Sequence, residues 1–137
     1  GEVFVTENQT VLKVIPVEGS VEIAGEAQKK FEEVLPEIVI SQCLSKLREH
    51  KEHYCKGFVE VSAVKCVRGS YPTYMKTLWD EYDQEIGSEN ENPNIFGDEQ
   101  TYIVFELENA GKDLECFTFL NSFQSVSIFI QFLNKKK

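Results

Sequence analysis

Positive charge is scarce in this chain: 14 lysines and arginines stand against 23 aspartates and glutamates in 137 residues, a formal net charge of −9. Binding a nucleic-acid backbone requires a basic stripe to neutralise its phosphates, and the one basic run here is Lys135-Lys136-Lys137. No direct nucleic-acid partner is expected, and a basic peptide suits the charge better. No stretch approaches the roughly 18 consecutive apolar residues of a membrane span, so no membrane partner is expected either. The cysteines Cys43, Cys55, Cys66 and Cys116 contain no Cys-x-x-Cys pair, and no apolar leader precedes the first strand pattern, which points to a reducing, intracellular setting. Histidine is confined to His50 and His53. With Cys55 they offer three possible zinc ligands and no fourth at a usual spacing, so the segment reads as a solvated helix end and no metal residue is assigned.

What is present is an ordinary globular composition: 42% apolar and 12% aromatic residues supply one real core, hence one domain or part of one. Val3-Phe4-Val5 and Thr10 to Val17 read as two strands of a hairpin turning near Asn8. Gly19 to Gly25 interrupts, and a helical period is expected from Glu26. Pro36 is expected to start a new helix, because proline tolerates a first turn and breaks an interior. From there Glu37, Ile40, Leu44 and Leu47 fall on one helix side, so Glu37 leads an apolar stripe. Phe58 to Val67, with Val59, Val61 and Ala63 alternating, and Thr101 to Leu107 read as two further strands. Between them Met75, Leu78, Trp79 and Tyr82 are spaced as a helical packing stripe, and Ile86 to Asp98 reads as a long loop.

Three groups of residues carry chemistry. Gly1-Glu2-Val3-Phe4, Val11-Leu12-Lys13-Val14-Ile15 and Leu35-Pro36-Glu37-Ile38 together resemble the small lobe of a protein kinase. There a glycine-rich hairpin covers the ATP phosphates, while a strand lysine contacts them and a helix glutamate holds the lysine. A lysine is a point charge on a flexible stem and needs a fixed anion to stay aimed. The resemblance implies Lys13 and Glu37 for these roles. The run Glu32-Glu33-Val34-Leu35-Pro36-Glu37-Ile38-Val39-Ile40-Ser41, then Val64-Lys65-Cys66-Val67-Arg68-Gly69-Ser70-Tyr71-Pro72, then Tyr102 to Glu115 narrow it. These blocks resemble haspin, an atypical protein kinase family.

That resemblance implies an α+β small lobe: a twisted antiparallel sheet of about five strands, the first lying before Gly1, with one regulatory helix. It implies small lobe over 1–107, hinge over 108–112, and two helices of a truncated large lobe over 113–137. Aligned on Glu-x-Glu-x-x-Gly-x-Asp-Leu, Leu107 becomes the gatekeeper, with the Glu108 carbonyl and Ala110 amide as adenine contacts. Gly1, Val3, Val11, Lys13, Gly111 and Asp113 complete the ATP set, and Asp113 and Glu115 are the residues for a basic substrate. The implied activity is ATP-dependent phosphorylation of a histone-tail threonine in mitosis, in the nucleus on chromosomes, with magnesium in the intact kinase. Transfer also needs a base aspartate, an asparagine and a metal-binding aspartate beyond the hinge. Neither a His-Arg-Asp nor an Asp-Phe-Gly block occurs in the 137 residues, so this chain alone is expected to be inactive. The alternative is a non-catalytic kinase remnant serving as a nucleotide-binding or protein-interaction module.

Overall fold

The computed structural model describes residues 1–111 and 118–134, without the side chains of 129 and 131–134. Strand β1 (Glu2–Val5) pairs antiparallel with β2 (Thr10–Val17), and the turn between them places Gln9 at φ 60°, one residue past the expected turn-former Asn8. Thr6 closes this turn: its N–H donates to the Thr10 carbonyl at 2.8 Å and its hydroxyl accepts from the Thr10 N–H at 3.1 Å. With β3 (Val61–Arg68) and β4 (Thr101–Glu108) the hairpin forms a four-stranded antiparallel sheet in the order β1-β2-β4-β3.

Directly paired residues of antiparallel strands point to one face, and successive residues alternate. One face therefore gathers Lys13, Ile15 and Val17 from β2 with Ile103, Phe105 and Leu107 from β4. Helix α1 (Phe31–Lys46) covers it, with Val34 at 1% exposure and Ile38 beside it closing a core on Ile15, Val17, Ile103 and Phe105. The other face carries Val14, Tyr102 and Val104. It is covered by Tyr71 and Phe96, from the segment holding helix α2 (Thr73–Glu85) and a 3-10 turn at Pro93–Ile95. The sheet is thus sandwiched, and the site side is the α1 side.

Several expectations are corrected. The helix begins at Phe31, and residues 26–30 are not helical, because Gln28 is drawn into a buried amide pair with Gln100 and Lys29 bridges to Val17. Pro36 lies inside α1 and starts no helix of its own: Glu18 and Glu33 accept from the Phe31 and Lys30 N–H groups, which sets the start a turn earlier. Ile40 is 57% exposed; the inward stripe runs through Val34, Ile38, Ser41 and Ser45, with Glu37 and Leu44 beside it. In β3 a bulge at Ser62 resets the alternation, so Val61 and Val64 share the core face in place of Val61 and Ala63. The α2 stripe buries Trp79 and half-buries Met75 and Leu78, but Tyr82 is 51% exposed. The expected loop is pinned by Pro93 and Phe96, both buried.

Candidate active site

Lys13 stands in the middle of β2, opposite Val3 on one neighbour and Phe105 on the other. Its Nζ lies 2.5 Å from Glu37 Oε1 on α1 and 5.9 Å from the centre of the Phe105 ring. A carboxylate to one side and an aromatic face beneath hold the ammonium in place, an arrangement charge and ring quadrupole both favour. About 37% of the lysine side chain and 39% of the glutamate side chain remain exposed, so the pair is presented to solvent and is free to receive an anion. A cleft of about 260 Å³ adjoins it, lined among others by Gly1, Lys13, Glu37 and Gln28.

Gly1 approaches β2 so closely that a Cβ there would lie 2.7 Å from the Val14 carbonyl oxygen, so no larger residue fits without moving the strand. Val3 is 60% exposed and faces the same side as Lys13, while Val11 is half-buried directly across from Leu107. Leu107 is on the α1 face of β4, packed against the core around Phe105, with Val104 and Glu106 on the opposite face. This is the orientation that strand alternation predicts for Leu107, although Val3, Val11 and Leu107 do not line the cleft beside Lys13 and Glu37.

The end of β4 is more tightly held than the sequence suggested. The Glu108 side chain, expected only as the bearer of a backbone carbonyl, is ion-paired with Arg48 and accepts from the Glu60 N–H at 3.1 Å. Beyond it Asn109 Nδ2 donates to Gln9 Oε1 at 3.3 Å, tying the segment to the β1–β2 turn. The Gly111 N–H donates to Asn109 Oδ1 at 3.0 Å, and Gly111 has φ 81°, a conformation that favours glycine. Ala110 and Gly111 are exposed. Asp113 and Glu115 lie outside the described residues.

Glu2 was not singled out from sequence. It points to the face opposite Lys13, where burial raises its carboxyl above the ordinary value of 4.5, partly offset by a 3.4 Å hydrogen bond from Asn90 Nδ2. Burial also pushes the Tyr102 phenol up to about 12 and, with Tyr102 and Glu2 nearby, the Tyr71 phenol further still. Both stay neutral, inside an aromatic cluster with Phe4 and Phe96. Arg48, Phe105 and Gln28 were also missed, because each acts through partners distant in sequence; Arg48 and Glu108 are 60 positions apart.

A profile of the family described as "Haspin like kinase domain" matches residues 1–135. Over 115 residues the chain is 50% identical to the serine/threonine-protein kinase haspin homolog of Drosophila melanogaster, covering 84% of this chain and 20% of that protein. It is 45% identical over 118 residues to the serine/threonine-protein kinase haspin of Bos taurus, covering 84% and 15%. With the haspin homolog of Arabidopsis thaliana it shares 35% identity over 134 residues, covering 96% and 22%. The chain thus spans about a fifth of the length of the curated relatives it matches.

Proposed function

The chain belongs to the haspin-like family of serine/threonine protein kinases, and from that premise we propose that it forms the ATP-holding lobe and hinge of a kinase acting on a histone-tail threonine in mitosis. The observation that carries the reading is the Lys13–Glu37 pair, 2.5 Å apart and half-exposed at a cleft. Lys13 receives the α- and β-phosphates of ATP, and Glu37 keeps the ammonium aimed at them. The small lobe spans 1–107 and the hinge 108–112, whose Glu108 carbonyl and Ala110 amide take the adenine edge. Val3, Val11 and Leu107 wall the adenine, and Gly1 lets the hairpin close over the phosphates. Residues 113–137 begin the large lobe, where Asp113 meets the ribose and, with Glu115, a basic residue of the substrate. The excess of acidic residues suits such a basic tail, and chromosomes in the nucleus are the setting the family resemblance favours.

Phosphoryl transfer is mostly positioning and charge stabilisation, so the residues of this segment bind and orient ATP while the base and the metal carboxylates must come from elsewhere. Among the described residues no group of three or more His, Cys, Asp or Glu side chains is placed to hold a metal ion. The test uses labelled ATP, magnesium and a histone-tail peptide. The chain ending at Lys137 is compared with one extended through a haspin-type large lobe. Threonine labelling by the extended chain only is the expected result. Comparable turnover from the short chain, abolished by Lys13→Ala, would overturn the division of labour, and labelling of neither peptide nor other protein by the extended chain would overturn the kinase reading.

A further inference from the structure

Arg48 follows the C-terminal end of α1, and its guanidinium gathers two other pieces of chain, residues 58–60 and the end of β4. Nε and Nη2 both donate to the Phe58 carbonyl, at 3.0 and 2.8 Å; Nη2 also pairs with Glu108, and Nη1 lies 3.5 Å from Glu60 Oε2. Glu60 and Glu108 are further joined through their backbones, the Glu108 N–H donating to the Glu60 carbonyl at 3.0 Å. Ser45, one turn back on α1, accepts from the Val61 N–H at 2.9 Å. The Arg48 side chain is 23% exposed and that of Glu108 35%, so the pair is partly withdrawn from water and less screened than a surface contact.

Arg48 stands eleven positions after Glu37, in the turn of 47–49 that continues from α1, and its contacts show that it reaches the same sheet that Glu37 meets through Lys13. The middle of α1 therefore presents an anion to Lys13, and the turn that follows the helix presents a cation to the last residue of β4. We propose that Arg48 and Glu108 are positioning residues that fix the adenine-binding edge at a set distance from the Lys13–Glu37 pair. In this way the placement of α1 governs both ends of the nucleotide cleft. The inference rests on the nucleotide-site reading above. The fork geometry matters, because a lysine at 48 could not donate to the Phe58 carbonyl and the Glu108 carboxylate in the same fixed plane.

The experiment measures adenosine and inorganic tripolyphosphate binding by calorimetry in the longest natural chain that carries this segment, with thermal melting as the check on folding. Arg48→Met should weaken adenosine on the order of tenfold, the size of a charge-assisted hydrogen bond lost in a partly buried site, and leave tripolyphosphate within about twofold. Arg48→Lys should not restore it. Glu108→Gln, which keeps the side-chain shape, should give a smaller loss of the same kind, and the double variant should lose little more than Arg48→Met alone. Adenosine affinity within about twofold of the parent in a folded Arg48→Met protein overturns the inference, as does a parallel fall of both ligands. If the parent itself binds neither ligand, the nucleotide-site reading fails, and this inference with it.

Discussion

Glu37 matters because of what it denies Lys13: without a fixed carboxylate, a lysine this exposed would spend its time in water. Its position in α1 was legible only through the Leu-Pro-Glu run, since helix period alone put Glu37 on a stripe with Ile40, which the structure turns outward. Glu2 shows the opposite case. Nothing in the sequence separates it from a solvated strand-edge acid, yet it packs beneath the α2 segment and its carboxyl is held above 4.5 by burial. A carboxyl whose folded pKa is raised binds its proton more tightly folded than unfolded. Its contribution to stability is therefore full below the ordinary value and is lost as pH rises from there through the raised one. Glu2→Gln should accordingly melt higher than the parent at neutral pH, with the gap closing as pH falls to 4.5 and below. Melting curves across that range check this, and a gap that widens on acidification would contradict it.

At the scale of elements, the strands were readable because alternation of apolar residues survives wherever one face is covered. It fails at Ser62, where a bulge inserts one residue, and no local composition announces it. The start of α1 was misread for a similar reason. Glu26 to Lys30 has helical composition, but Gln28 and Gln100 exchange side-chain amide hydrogen bonds at 2.9 and 2.8 Å, and Gln28 Oε1 also accepts from the Gly19 N–H at 2.9 Å. Such a satisfied, buried polar pair outweighs intrinsic propensity. Gly19 leaves room for it: a Cβ there would run into both amide groups. Gly19→Ala should therefore cost about 1–3 kcal/mol in a denaturant titration, by disrupting hydrogen bonds to buried groups. A cost within about 0.5 kcal/mol, the scatter of an ordinary surface change, would show that the pair does not anchor the linker to α1.

For the molecule as a whole, the strands and the presence of a helix around Glu37 followed from residue periodicity, and the kinase resemblance supplied the α+β small-lobe class and the antiparallel sheet. The two-faced construction did not follow, because Tyr71, from a stretch assigned no element, meets Phe96 of the expected loop and Tyr102 of a strand. The proposed hinge rests on a sequence run alone. The hold of Arg48 on Glu108 depends on a contact between the turn after α1 and the end of β4, which no single-sequence pattern encodes. The central claim is that the Lys13–Glu37 pair holds the ATP phosphates for transfer to a protein hydroxyl. The most direct measurement is the initial rate of phosphate transfer from ATP to a protein substrate, in the longest natural chain carrying this segment, for the parent, Lys13→Met and Glu37→Gln. The account predicts a fall of about 10²–10³-fold for Lys13→Met, the size expected when one transition-state charge partner is removed, and a smaller fall for Glu37→Gln. Folded variants that both keep a rate within about twofold of the parent would contradict it.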